Sequence, residues 1–462
     1  MILPNPFSAT PALRWGWLLL SACLYGLLGY ATPRGQFPML IGLYTLLMWG
    51  YSLRAQPLLL ATTDATAAPD KFLAGSAIVF RLLLLLAMPA LSDDYARFIW
   101  DGRLLLNGVN PFRYLPVELM AGGVAPDAHI DPTLYQLLNS PNYYTVYPPV
   151  DQLLFALAAW IAPTNAASSV VALRVPIILA DLGTLWLMIR LLTRNGRNPN
   201  LAFLYGLNPL IILELTGNVH FEAIMIFFTL LAMYLWQVHR RVLSAAALAM
   251  AIATKLLPLI ALPVIIAHIG WPRGIRYAAL VLGLVGVLFI PFFDVSLLLN
   301  MLESIELYFR KFEFNASLYY LIREAGFWLE GYNILGRIGL WLSLATTVGL
   351  LVIAFARVFP VWVRILWMLT LYLAMATTVH PWYITSLVAA SIFVASPAYS
   401  IRYMLVWSGL VWLSYSAYRT DPVQEDHMLL LVEYGIVFTL FVIDTRRYLT
   451  THRTYAQTSA QV

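Results

Sequence analysis

The sequence predicts an all-α polytopic integral membrane protein, and three observations carry that prediction. Of 462 residues, 61% are hydrophobic and only 11% charged, against roughly 45–50% and about 25% in soluble domains. The apolar residues form long continuous runs, not the short alternating segments of a membrane barrel. The runs suffice for about 12–14 spans at about 20 residues each.

Those runs lie near 15–31, 37–53, 73–91, 174–192, 201–217, 220–238, 276–293, 335–356, 362–379, 382–396, 401–418 and 427–444. Two shorter runs within 242–270 are separated by Lys255 and Pro258. The N-terminal residues lack the charged start and small-residue cleavage pattern of a signal peptide, so Arg14 reads as a cytoplasmic anchor. With the N-terminus inside, Arg54, Lys71, Arg194, Arg197, Arg240, Arg241, Arg273, Arg276, Arg357, Arg364, Arg402, Arg446 and Arg447 also fall inside, as the positive-inside rule requires. This threading needs 148–163 not to be a net crossing and 242–270 to cross twice. The net charge of +5 is thereby a topological signal, and no nucleic-acid partner is expected. Cys23 is the single cysteine, which excludes a disulfide within the chain and a thiolate metal site.

The same threading sends 92–173, 217–222, 294–333, 380–383 and 419–426 to the outer side, and most unusual polar residues gather there. The first outer loop, about 80 residues long, exceeds what structureless connections reach. Within it YARFIWDGRLLLNG places Phe98, Leu105 and Leu106 near one face of a short helix, which Asn110-Pro111 ends. NYYTVYPP at 142–149, including Tyr147, forms an aromatic rim suited to the water–lipid boundary, and interfacial helices fit the remainder.

SDDYARFIWDGRLLLNGVNPF, YTVYPP, GNVHFEAI, ATKLLPLIALP, FNASLYYLI and HPWYI occur in that order between about 90 and 385. Together they resemble the polyprenyl-phosphate-sugar-dependent glycosyltransferases of the GT-C fold, in particular the bacterial mannosyltransferase-like branch. The resemblance implies a single transmembrane catalytic domain over 1–462 with outer loops 92–173 and 294–333. It implies an enzyme of the cell inner (plasma) membrane with its active site on the extracytoplasmic side. A hexose, mannose by the resemblance, would pass with inversion from a polyprenyl-phosphate donor to a glycan or glycolipid acceptor. The lipid-linked sugar is then a co-substrate, and no further cofactor or metal is expected.

Such chemistry needs a general base for the acceptor hydroxyl and a cation or donor for the departing phosphate. Asp93 and Asp94 end an apolar run, and either can serve as base. Asp94 stands four residues before Phe98, which matches the spacing around the catalytic acid in the family. Asp101 and Arg103, further on, read as braces of the loop helix. Lys255 lies between apolar runs, where a lysine costs roughly 2.5–3.5 kcal/mol on insertion scales; a bound phosphate would supply its partner, and snorkelling is the plainer reading. Arg174 is a second phosphate candidate. His380 can donate to a phosphate oxygen, and Trp382 and Tyr383 can stack on sugar or line a prenyl groove. His220 and Glu222 are expected to hydrogen-bond substrate, since two such residues do not make a metal site. Asn315 could shape the acceptor site. Arg81 and Asp181, near the middle of their runs, read as a pair locking two helices.

Two other classes fit a many-spanned envelope protein. A lipid-linked oligosaccharide flippase would place its polar site near the midplane between repeats, and no repeat is evident. An O-antigen polymerase or ligase would favour arginine pairs in its outer loops over an acidic pair.

Overall fold

The computed structural model describes residues 10–122, 131–310, 312–397 and 399–459. Its helices run in chain order as α1 (Pro11–Tyr30), α2 (Phe37–Leu60), α3 (Lys71–Leu83), α4 (Asp94–Leu106), α5 (Pro116–Ala121), α6 (Pro132–Tyr135), α7 (Pro149–Ile161), α8 (Ala166–Arg194), α9 (Phe203–Gly206) and α10 (Glu222–Gln237). They continue as α11 (Arg241–Ile252), α12 (Ala261–Ile269), α13 (Trp271–Phe289), α14 (Leu297–Arg310), α15 (Leu318–Glu330), α16 (Leu335–Phe355), α17 (Val361–Met375), α18 (Ile384–Ser391), α19 (Arg402–Leu410) and α20 (His427–Ser459). Among the described residues, the extended backbone pairs in one parallel bridge, Phe314 with Thr378.

Among the described residues, five helical stretches are long and apolar enough to cross a membrane: α1, α8, Trp271–Phe292, Ile338–Phe355 and His427–Thr451. The protein is thus a multi-pass, all-helical membrane protein. Exposed Leu340, Trp341, Leu344 and Val348 on α16 are at home in lipid, which is as apolar as they are. The remaining apolar runs are carried by shorter helices. α7, the run expected not to cross, has 13 residues. Region 242–270, expected to cross twice, is carried by α11 with 12 residues and α12 with nine. Each is well short of the about 20 residues a straight span needs.

Run 201–217 departs furthest from expectation. It breaks after α9 and resumes as a π-helical stretch, Ile211–Gly217. The cause is Asn208-Pro209: a residue before proline resists the helical region, and the Asn208 side chain accepts from Leu210 N at 2.9 Å in a local turn. The π-helical stretch and α10 together pass the spanning test but meet at a 110° bend.

The stretch after Ser92 is helical where expected, over α4, but the helix stops earlier than Asn110-Pro111. Gly108 adopts φ +73°, Gly108 N bonds to Leu105 O at 3.0 Å, and Val109 N bonds to Leu104 O at 2.9 Å. That pair of reversed bonds is a Schellman cap, and it favours glycine at the left-handed position. Phe98 is buried as expected, whereas Leu106 is 46% exposed.

Contacts divide the chain into two compact units. The first contains Met1–Leu84, Leu185–Glu214 and His380–Val462. In it the Tyr44 ring stacks on Trp412 with centroids 3.8 Å apart. Arg81, fully buried, donates to the carbonyls of Ala77 and Gly206 at 2.9 and 2.8 Å. Glu214 accepts from the Tyr415 hydroxyl at 2.9 Å.

The second unit contains Leu85–Thr184 and Leu215–Val379. α10 to α13 pack through Ala232, Ala245, Leu248, Ile252 and Val281; the small alanines of α11 let neighbouring backbones approach closely. An aromatic hub fastens α4, α7 and the start of α10. Phe98 stacks on Phe155 at 4.7 Å, and Phe221 meets both edge-on at 5.3 and 5.2 Å. The approach of α4 to α7 depends on Gly102, where a β-carbon would stand 2.2 Å from the Phe155 carbonyl oxygen. Because the obstacle is backbone, it cannot rotate away. Gly102→Ala is expected to lower the thermal midpoint in detergent, with overpacking costing about 1–3 kcal/mol or more. The better helix propensity of alanine, about 1 kcal/mol, offsets only part of that.

Candidate active site

The second unit brings the acidic start of α4 into a built environment. Asp93 precedes the helix, and its carbonyl accepts from Ala96 N at 3.1 Å. Asp94 is the first helical residue, half-buried, with its amide on Ser92 Oγ at 3.3 Å. Asn139 Nδ2 donates to Asp94 Oδ1 at 3.1 Å. Burial pushes the Asp94 carboxyl up, and the Asn139 donor and the Lys255 charge pull it back, while Asp93 adds to the rise. The balance leaves it above the ordinary carboxylate range, a direction that suits a base working nearer neutral pH.

Asn139 is held there by Arg97 and Asp101. Arg97 Nε donates to Asp101 Oδ1 at 2.8 Å within α4. Its Nη1 reaches the carbonyls of Ser140 and Tyr143 at 3.2 and 3.0 Å. Asp101 Oδ2 accepts from Thr145 Oγ1 at 2.6 Å and Gln152 Nε2 at 3.1 Å. This buried network pins residues 139–145 across the helix, so Asp101 is a brace, as its position suggested. Arg103 likewise braces, to Asp131 at 2.6 Å.

Lys255 sits in the gap between α11 and the turn Leu257–Ile260, its amide on Ala251 O at 3.0 Å. The sequence reading gave it a bound anion as partner; the structure gives it Glu222, which accepts from Nζ. Glu222, expected to meet substrate, is the first residue of α10 and only 2% exposed. Asp151, two residues into α7, was not singled out as functional. It is fully buried, its two oxygens have no hydrogen-bond partner among the described residues, and both Lys255 and Glu222 act on it. The bond from Val150 N to Ala253 O at 2.9 Å anchors α7 to the Lys255 gap. An acid just inside an apolar helix was the available signal for Asp151. Nothing local marked Asn139.

The other candidates take different positions. Arg174, proposed for phosphate, has no exposed surface. Its guanidinium donates to Thr216 O at 2.7 Å, Gly217 O at 3.0 Å and Leu85 O at 2.6 Å, and so satisfies carbonyls that the end of the π-helical stretch leaves over. His220 is buried in the following turn, with its amide on Leu215 O at 3.2 Å. Beside it, Val219 holds φ +64°, a strained conformation for a β-branched residue. The Tyr147 ring lies edge-on to Phe98 at 4.9 Å and joins the aromatic hub. Asn315 is buried with φ +48°. It follows Phe314, whose backbone bonds to Thr377 and Val379 at 3.1 and 2.8 Å, which ties the FNASLYY motif to the residues before His380. His380, Trp382 and Tyr383 belong to the first unit. There the imidazole stacks on the Trp382 indole at 4.3 Å and meets Tyr383 edge-on at 5.5 Å.

Comparison with known proteins bears on the stretch that holds the acids and Lys255. The family model described as alpha-(1->6)-mannopyranosyltransferase, N-terminal domain, matches residues 15–270, more than half of the chain. Alpha-(1->6)-mannopyranosyltransferase A of Corynebacterium glutamicum is 26% identical over 185 residues, covering 40% of this chain and 36% of that relative. The enzyme of the same name from Mycobacterium tuberculosis is 26% identical over 219 residues, covering 46% and 40%. Alpha-(1->6)-mannopyranosyltransferase B of C. glutamicum is 27% identical over 156 residues, covering 33% and 24%. The alignments thus span two fifths or less of each relative. Asp93, Asp94, Tyr147, Arg174, His220, Glu222 and Lys255 lie inside the family match, while Asn315 and His380 lie beyond it. By that match, the chain belongs to the alpha-(1->6)-mannopyranosyltransferase family.

Proposed function

We propose that the protein transfers mannose from a polyprenyl-phosphate carrier to a lipid-linked or glycan acceptor. The reaction runs on the extracytoplasmic face of the inner (plasma) membrane, within a single catalytic domain, and inverts the anomeric carbon. The observation that carries this reading is a half-buried acid in the field of a lysine, Asp94 near Lys255, inside the stretch matched by the family.

In this reading the acceptor hydroxyl gives its proton to Asp94 as its oxygen attacks the anomeric carbon. The bond from that carbon to the phosphate oxygen breaks, and the electron pair leaves on the phosphate. Lys255 offsets the growing charge. His380 and its ring neighbours are proposed to bind the donor as well, and Tyr147 and Asn315 to shape the acceptor side. The lipid-linked sugar is a co-substrate and no resident cofactor takes part. The names of the relatives supply the choice of mannose and of a 1,6 bond.

Purified protein in liposomes, given radiolabelled polyprenyl phosphomannose and envelope glycolipid, tests the proposal. Label passing to the acceptor, and lost in Asp94→Asn, supports it. Donor crossing the bilayer with no label transferred would instead identify a flippase.

A pH profile tests the base more finely. With Asp94 raised by burial, the acid limb of kcat/KM is expected above the ordinary aspartate value of about 3.9. The Asn139 donor stabilises the ionised form. Its removal in Asn139→Ala therefore moves the limb to still higher pH while the alkaline plateau stays within a few-fold of wild type. A limb that stays put would show that Asn139 does not serve the base.

A further inference from the structure

The groups around Lys255 form a small buried charge balance. Nζ donates to Oε1 of Glu222, and Glu222 is 2% exposed. Asp151 lies in the field of both and has no donor on either oxygen among the described residues. Burial pushes that carboxyl up, while the lysine pulls it back. Among the described residues Asp94 on α4 also acts on Glu222, and Asp93 acts on Asp94; His220 stands two residues before Glu222.

A lipid phosphodiester carries one negative charge throughout the physiological pH range. Docked on Lys255, it adds another anion beside a glutamate that already shares this lysine and is out of water. Burying an uncompensated charge is costly. A carboxylate whose cation is claimed by another anion becomes more basic, and the phosphodiester is too acidic to take a proton itself. We propose that Glu222 takes up one proton from solvent when a lipid phosphodiester docks on Lys255, so that donor binding is linked to pH. The one bond made is the O–H bond on the Glu222 carboxyl, with the proton drawn from solvent, and it is broken again when the lipid phosphate leaves and the proton returns to solvent. Glu222 is then a positioning residue that tunes how strongly Lys255 holds the donor. The inference rests on the reading of Lys255 as the phosphate-holding group.

Calorimetric titration counts the proton. Full-length protein in nanodiscs, without acceptor, is titrated with a short-chain prenyl phosphomannose in two buffers of different ionisation enthalpy. Wild type is expected to take up close to one proton per donor bound at neutral pH, with Kd weakening by about tenfold per pH unit on the alkaline side. Glu222→Gln, which keeps an oxygen for Lys255, is expected to abolish the uptake and flatten Kd against pH. Glu222→Asp and Asp151→Asn are expected to retain it. Absence of uptake in wild type, or uptake that survives Glu222→Gln, overturns the linkage. A Kd unchanged by Lys255→Gln overturns the reading of Lys255 itself; tight binding that needs Lys255 but ignores pH sinks only the linkage.

Discussion

Asp94→Asn is expected to lower mannosyl transfer by roughly 10²–10⁴-fold, the range typical for loss of a general base, with the thermal midpoint nearly unchanged. The side chains are isosteric, and Asp94 makes few commitments to the fold. Its carboxyl holds Asn139 at 3.1 Å, and the amide substitute offers an oxygen to the same donor. What disappears is the ability to take the acceptor proton. Single-turnover transfer of labelled mannose, measured beside thermal unfolding in detergent, separates the two readouts. KM for the donor should change little, because Lys255 and Glu222 are untouched. Transfer at near wild-type rate in Asp94→Asn would move the base to Asp93, the neighbour that the sequence ranked just behind it.

Asp101→Ala has the second largest expected effect, and it acts through the fold. Asp101 is fully buried and accepts from Arg97, Thr145 and Gln152. Truncation leaves a buried guanidinium and two neutral donors without their acceptor. Removing one partner of a buried ion pair costs about 3–5 kcal/mol, a large share of a net stability of about 5–15 kcal/mol. Exposed pairs contribute far less, about 0–1 kcal/mol, so Arg419 with Asp426, whose side chains are 43% and 30% exposed, serves as the control. A sharp fall in thermal midpoint for Asp101→Ala, with a clearly smaller one for Asp426→Ala, which loses the exposed pair and the α20 cap on Met428 N and Leu429 N, is the expected pattern. Activity should fall as well, since Arg97 would no longer hold the Ser140 and Tyr143 carbonyls that set Asn139 beside Asp94. Equal midpoints for the two variants would contradict the bracing role.

The short helix after SDD was legible because its pattern is local: the chain leaves an apolar run, caps itself with acids, and shows helical spacing in YARFIWDGRLLL. Its stop was misjudged because two turn signals stood close together. Gly108 reaches the left-handed cap before Pro111 can act. Run 201–217 misled because hydropathy registers apolarity, not continuity. Asn208-Pro209 breaks the helix, and Arg174 supplies bonds to the carbonyls at the end of the following stretch. Arg174 therefore read as an anion site in sequence and serves as a brace in the fold.

By itself, the sequence determined what depends on composition and near neighbours. It set an all-helical membrane protein, an acidic pair at the end of an apolar run, and a lysine that requires a counter-charge. Tertiary structure alone decided which groups answer those requirements. Glu222 lies 33 residues from Lys255 and Asn139 lies 45 from Asp94, and the packing of α7 brings Asp151 into the field of Lys255 and Glu222. Partners so far apart are chosen by how helices meet, here around Gly102 and the Phe98–Phe155–Phe221 hub. Burial then pushes the Asp94 and Asp151 carboxyls up, because the cost of desolvation is a property of the packed surroundings and not of the residue type.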